Sequence, residues 1–203
     1  MVAEALALTS AWLGGGVLAY ERDADGELRA LQAPSRAPLW NGPLVLLIDR
    51  STASMAELFA AALQDRARAL LVGERSYGKG LAQTLVLLGS PLGTSHGAVE
   101  VSERAFYRLD GAVLQGRGVM PDVEIAFAKQ APVRPAPFVA PWLPDRIAPL
   151  IPPAPRALAA ADPLARARSA AQAAADSADA ADDVQRVLAV AIAYATMPAG
   201  GPR

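Results

Sequence analysis

The chain has no cysteine, which excludes disulfide frameworks and thiolate metal sites and leaves the redox compartment open. Its single histidine, His96, is too little for a histidine-based zinc site. Lysine is nearly missing as well: Lys79 and Lys129 are the only two among 19 basic residues. The formal net charge is −1, so there is no electrostatic case for binding nucleic acid. No run of about 18 apolar residues is present, so no segment reads as a membrane span. The opening residues, Met1 to Leu13, lack a basic leader and a cleavage site and do not read as a signal peptide.

What is present begins with a length of 203 residues, enough for one hydrophobic core plus extensions. The informative stretch runs from Pro43 to Gln83. Leu44 to Ile48 has the length and content of a buried strand. A small-residue turn, Ser51 to Ser54, leads into a helical pattern with Met55, Leu58, Phe59, Ala62 and Leu63 on one face. Glu57, Gln64 and Asp65 fall off that face. Ala69 to Val72 reads as a second strand, ending in the glycine-rich loop Gly73 to Gly80. Strand, helix and strand in that order predict a parallel pair with a right-handed crossover.

Polar residues within this unit suggest chemistry. Ser54 stands where a strand turns into a helix, and by composition alone it is a good N-cap. The functional reading makes it a nucleophile, with the unpaired amide of Met55 at the helix start holding a developing oxyanion. A serine hydroxyl needs a base. His96 lies in a predicted loop, Gly89 to Gly97, and is the poorer candidate. Lys79 sits between two glycines in an apolar neighbourhood, where a desolvated amine can be neutral. Arginine, the usual basic residue of this chain, does not give up its proton. Gln83, four residues on, can share a face with Lys79 and orient its amine.

These residues resemble a known family. Ser51-Thr52-Ala53-Ser54-Met55-Ala56-Glu57 is similar to the S-A-S-A-S-E stretch of the carboxyl-terminal processing peptidases, or tail-specific proteases. Met55 and Ala56 depart from it, replacing the usual Ala and Ser. Glu74 to Gly80 resembles the family's G-E-x-x-F-G-K-G loop, with Tyr77 for Phe. Phe106-Tyr107-Arg108 with Gly111, and Gly118-Val119-Met120-Pro121-Asp122, resemble its F-Y-R-x-x-G and G-V-x-P-D segments. The resemblance implies a serine endopeptidase with Ser54 as nucleophile, Lys79 as general base and Gln83 completing the site. It implies no cofactor and no metal, protein or peptide substrates with apolar C-termini, and a periplasmic or otherwise exported setting. It implies an α/β fold, part of the Clp/crotonase-like ββα spiral. The family's upstream glycine segment and its PDZ domain are not found here. A truncated, catalytically impaired relic or interaction module is therefore the alternative expectation.

Two other motifs are weaker. Gly73 to Gly80 is nearly a Walker A loop, but Gly80 stands where the magnesium-binding Ser/Thr belongs, and a strand rather than a helix follows. Asp23-Ala24-Asp25-Gly26 has too few ligands behind it for calcium and reads as a hairpin turn between Val17–Tyr20 and Glu27–Leu31. Gly14 to Gly16 reads as a helix stop. An acyl-CoA enzyme of the crotonase type would share the fold but gives no reason for the Ser-Lys-Gln set.

The expected organisation is a catalytic core over 1–128, a Pro-rich segment over 129–155 and an Ala-rich helical tail over 156–203. Nine prolines between Ala131 and Pro155 exclude a regular packed element there. Pro141 to Ile147 is expected to dock on the core through Trp142. Leu158, Leu164, Val184, Val187, Leu188, Ala191 and Ile192 suggest two helices, packed on the core or serving an oligomer or adaptor. Ala98 to Leu109, Ala112 to Gln115 and Val123 to Ile125 are the remaining strand candidates.

Overall fold

Leu70, Leu71 and Val72 have no exposed surface, which places their strand at the centre of the molecule. The computed structural model describes residues 2–89, 95–125, 127, 144–149, 169, 171–173, 176 and 183–196. In chain order the elements are α1 (Val2–Leu13), β1 (Gly16–Asp23), β2 (Leu28–Ala33), β3 (Val45–Ile48) and α2 (Met55–Asp65). They continue as β4 (Leu70–Gly73), β5 (Leu81–Gly89), β6 (Ser95–Tyr107), β7 (Val123–Glu124) and α3 (Asp183–Ala195). The fold is mixed α/β with two sheets, ordered β2-β1-β6-β5 and β3-β4-β7.

The second sheet is parallel, Val45 pairing with Leu70 and Val72 with Val123. A parallel strand covered on both faces reads as a continuous apolar run, and β4 does. Leu71 joins a core with Leu58, Leu63, Ala60 and Phe106, on the α2 side. Leu70 and Val72 point the other way, to Val123, Ile125, Ala171 and Val190 of the C-terminal helical region. Each such leucine or valine contributes about 1.5–3 kcal/mol on burial. The helix predicted between the strands is α2, but its amphipathicity is misleading. Glu57 is 0% exposed and Gln64 5%, because α2 lies between the sheets and α1 and has almost no wet face.

The first sheet is antiparallel. Its β1–β2 hairpin turns where predicted: the Gly26 amide bonds the Asp23 carbonyl at 3.1 Å, and the Glu27 amide bonds Asp23 Oδ1 at 2.8 Å. The side chain of Asp23 is thus a turn former. Strand β6 begins earlier than expected, so His96 lies in a strand and is exposed there, not in a loop. Beyond Gln83 the pair β5–β6 runs on as a two-stranded ribbon, since β1 meets β6 only at Arg104–Tyr107. Leu85, Val86, Leu87, Leu88, Val99 and Val101 are all exposed along it.

Two family-like segments turn out to be staples. Arg108 Nη2 bonds Asp65 Oδ1 at 2.5 Å and Gln64 Oε1 at 2.8 Å, fixing the end of α2 to the end of β6. Asp122 accepts from the Leu71 amide at 3.0 Å and its own amide bonds the Leu71 carbonyl at 2.8 Å, locking β7 into register. Ala112 to Gln115 does not form the expected strand. It keeps one bridge, Tyr107 to Val113, and the backbone of Leu114 and Gln115 packs against Gly80 of the glycine loop described below. Docking of the Pro-rich segment runs through Ile147, whose amide bonds the Gly111 carbonyl at 3.1 Å. Trp142, Leu158 and Leu164 lie outside the described residues. The later of the two tail helices is present as α3, with Val190 buried against the parallel sheet.

Candidate active site

Ser54 occupies the N-cap of α2 with φ 58° and ψ −121°. An ordinary N-cap has β-region dihedrals. A serine at positive φ carries strain of about 1–3 kcal/mol, a cost that persists where the surroundings over-determine the residue, and such sites cluster at functional centres. The Glu57 amide reaches the Ser54 carbonyl, at 3.0 Å. Ser54 is half-buried, and among the described residues the Met55 amide behind it has no hydrogen-bond partner. A free N–H at a helix start is suited to a developing negative charge.

Glu57 organises the site, and its role was not read from the sequence. Its buried carboxylate accepts four hydrogen bonds. Oε2 takes the Ser54 amide at 2.9 Å and the Lys79 amide at 2.8 Å. Oε1 takes the Gly78 amide at 2.7 Å and the Ser76 hydroxyl at 2.5 Å. One oxygen therefore touches the backbone of both proposed reacting residues, and the two nitrogens lie no further apart than these two bonds laid end to end. The Tyr77 amide adds a second tie, to the Thr52 carbonyl at 2.8 Å. The signal was available: Ser54-x-x-Glu57 has the spacing of a capping box, which places the acid beside the N-cap amide.

The lysine loop is gripped from its other side by the 114–118 segment. The Gly80 amide bonds Gln115 Oε1 at 2.8 Å, and the Gly116 amide bonds the Gly78 carbonyl at 2.9 Å. A Cβ at residue 80 would lie 2.3 Å from the Gln115 nitrogen, so only glycine permits this approach. Gly78, at φ 93°, makes the turn that brings its own amide and that of Lys79 onto Glu57.

The side chain of Lys79 is exposed, contrary to the expectation of an amine packed among apolar groups. The reason is local: flanking glycines supply no side chains to cover it, and it is the loop backbone that is buried. Gln83 is exposed on β5 opposite Ser102. Among the described residues no hydrogen bond joins Gln83 to Lys79. The structure brings Ser54, Met55 and Lys79 to one place and sets Gln83 on the strand leaving it. His96 is far along β6 and joins no part of this cluster. Among the described residues, no group of acidic and histidine side chains could hold a metal ion. No helix among them is long and apolar enough to cross a membrane.

A model of peptidase family S41 matches residues 1–125. The chain belongs to that family. It is 33% identical over 137 residues to a tail-specific protease of Haemophilus influenzae, covering 63% of this chain and 19% of the relative. It is 31% identical over 123 residues to a carboxy-terminal-processing protease of Bartonella bacilliformis, covering 60% of this chain and 27% of the relative. Among solved structures, the photosystem II D1 C-terminal processing protease matches with a TM-score of 0.54 and 31% identity, over 62% of this chain and 31% of that one. This S41 chain thus spans 19–27% of the length of these curated relatives.

The mouth of this S41 site is braced by an ion pair between the two turns. Arg50, after β3, holds Glu74, after β4, with Nε to Oε2 at 2.6 Å, and the Phe127 amide bonds Glu74 Oε1 at 3.0 Å. The hydrogen bond from Arg50 keeps the Glu74 carboxyl below its ordinary value, against the opposing effect of burial. The folded state therefore favours the carboxylate. This contribution to stability is complete above the ordinary glutamate range and is lost as pH falls through the lowered value. Urea midpoints measured from neutral to acid pH are expected to fall for the native chain, and Glu74→Gln is expected to remove part of that slope.

Proposed function

We propose that this chain carries the reacting centre of a serine endopeptidase that works by a Ser54–Lys79 mechanism. What supports it most is the shared grip of Glu57 on the amides of Ser54 and Lys79, with Ser54 held in a strained turn at a helix start. The hydroxyl of Ser54 attacks a peptide carbonyl while neutral Lys79 takes its proton. The oxyanion forms against the Met55 amide. The Lys79 ammonium then protonates the leaving amine as the C–N bond breaks, giving an acyl-enzyme. Water, deprotonated by Lys79, attacks the ester, and the proton returns to Ser54 as the acid leaves. A bound peptide lying over the exposed amine displaces its water and favours the uncharged form. Gln83 orients the amine once that strand is covered.

The names of the relatives favour proteins cleaved near their C-termini as substrates, and the family resemblance favours apolar tails and an exported location. The spiral arrangement of ββα units is consistent with two small sheets joined through α1 and α2. Oligomer or adaptor contacts through the C-terminal helices belong to the same proposal. A second reading, a catalytically impaired module that keeps the fold, is favoured by the exposed Lys79 and its lack of a bond to Gln83.

The deciding experiment incubates the full chain with a denatured protein ending in apolar residues, beside Lys79→Ala and Lys79→Arg. Cleavage by the native chain and none by either variant is the expected result, since arginine cannot give up its proton. Equal cleavage by Lys79→Arg would overturn the mechanism. No cleavage by any of the three favours the impaired module.

A further inference from the structure

Ser76 is 2% exposed and stands between Glu57 and the segment that leads into β7. Its hydroxyl donates to Glu57 Oε1 at 2.5 Å and accepts from the Val119 amide at 2.7 Å. Its own amide donates to the Val119 carbonyl at 3.0 Å. A hydroxyl has one proton and two lone pairs, and a backbone amide can only donate. The Val119 N–H therefore takes a lone pair, and the proton is left for Glu57. A Cβ at residue 118 would lie 2.9 Å from Ser76 Oγ and 2.6 Å from the Ser76 carbonyl oxygen, so Gly118, at φ 66°, permits the close approach.

We propose that Ser76 is a positioning residue for the reaction: its hydroxyl sets how Glu57 holds the backbones of Ser54 and Lys79. The inference rests on the peptidase reading above. A carboxylate offers about four acceptor sites on its two oxygens, and here each oxygen has its own task. Oε2 serves Ser54 and Lys79, while Oε1 serves Gly78 and Ser76. Gly78 is the neighbour of Lys79 and moves with it, so its bond cannot fix the carboxylate against anything outside the loop. The Ser76 hydroxyl can, because it is tied to Val119, which is 0% exposed and packed in the core with Leu58 and Phe106. Removing it frees the carboxylate to turn about its last bond and leaves the Val119 amide without its acceptor. The serine turn and the lysine loop then lose their common reference. Ser76 needs to touch no reacting atom, since it acts through Glu57.

The test compares the full native chain with Ser76→Ala, Ser76→Thr and a control, Val123→Ala, which loses buried surface on the far side of the parallel sheet. Each is assayed on an internally quenched peptide with apolar C-terminal residues, well below its own melting temperature. Ser76→Ala is expected to lose about 10- to 100-fold in kcat, the scale of a misplacement of about 1 Å, with KM nearly unchanged. Ser76→Thr keeps the hydroxyl and is expected to recover most of that loss. Val123→Ala is expected to melt earlier and keep its kcat. Amide hydrogen exchange reads the cause: the Ser54 and Lys79 amides should exchange at least about 10-fold faster in Ser76→Ala and at the native rate in Val123→Ala. Should Ser76→Ala fail to fold, Ser76→Cys, with its weak donor, takes its place. Native kcat in a folded variant without the hydroxyl overturns the positioning role and leaves the peptidase standing. So does an equal loss of kcat in Val123→Ala, or no recovery in folded Ser76→Thr. If the native chain does not cut the peptide, the peptidase reading falls and takes the positioning role with it.

Discussion

Ser54→Gly is expected to abolish hydrolysis and at the same time to stabilise the fold. The two effects have separate origins. Loss of the nucleophile removes the acyl-enzyme route, and losses of this kind in serine hydrolases are on the order of 10⁴–10⁶-fold in kcat. The gain comes from the backbone: at φ 58° and ψ −121° a residue with a Cβ is strained, and glycine is not. Relief of about 1–3 kcal/mol, less the roughly 0.5–1 kcal/mol of added freedom in the unfolded chain, leaves a net gain of about 1 kcal/mol. Ser54→Ala keeps the Cβ and should be equally inactive without that gain. Urea denaturation of the three proteins separates the outcomes. If alanine and glycine variants have the same stability, the strain is not where the dihedrals put it.

Glu57→Ala is expected to be the most damaging single change in the chain. It would leave the Ser54, Gly78 and Lys79 amides and the Ser76 hydroxyl without their acceptor. Each buried donor so orphaned costs about 1–3 kcal/mol. Two of the four bonds are fully buried and two partly so, and together their loss is a large part of the stability of a typical domain, which is about 5–15 kcal/mol. Glu57→Gln keeps the volume and one acceptor oxygen, so it should fold but place the serine turn and the lysine loop less firmly. Its kcat should fall by more than its stability would suggest, because misplacement of reacting groups by about 1 Å can cost on the order of 100-fold. Thermal melts with activity assays on the two variants check this. A Glu57→Gln protein with native kcat would mean that the carboxylate holds the fold and nothing more.

Much of this arrangement was legible beforehand, for identifiable reasons. The strands Val45–Ile48 and Leu70–Gly73 are short apolar runs bounded by turn residues, and a parallel buried strand has that appearance. The hairpin at Asp23 to Gly26 is written in turn chemistry. Ser54 and Lys79 were singled out from local sequence, and the structure ties both of their backbone amides to Glu57. Glu57 was missed because a helix read by periodicity alone assigns charged residues to the solvent, whereas α2 is enclosed on nearly every side. The exposure of Lys79 was missed because glycines were taken as a close-packing signal; they pack the backbone close and leave the side chain uncovered. His96 was misplaced in a loop because a ribbon exposed along its length has no buried face to impose alternation.

The position of α3 bears on where this protein may be cut without harm. The recognised peptidase segment ends at residue 125, yet Val190 and Ala171 are as deeply enclosed as Leu70 and Val72, against which they sit. A boundary drawn by similarity would pass straight through a greasy seam and turn an interior wall into an outer one. The folding unit and the recognisable unit are different lengths of chain, and alanine-rich sequence beyond the match completes the inside of the molecule.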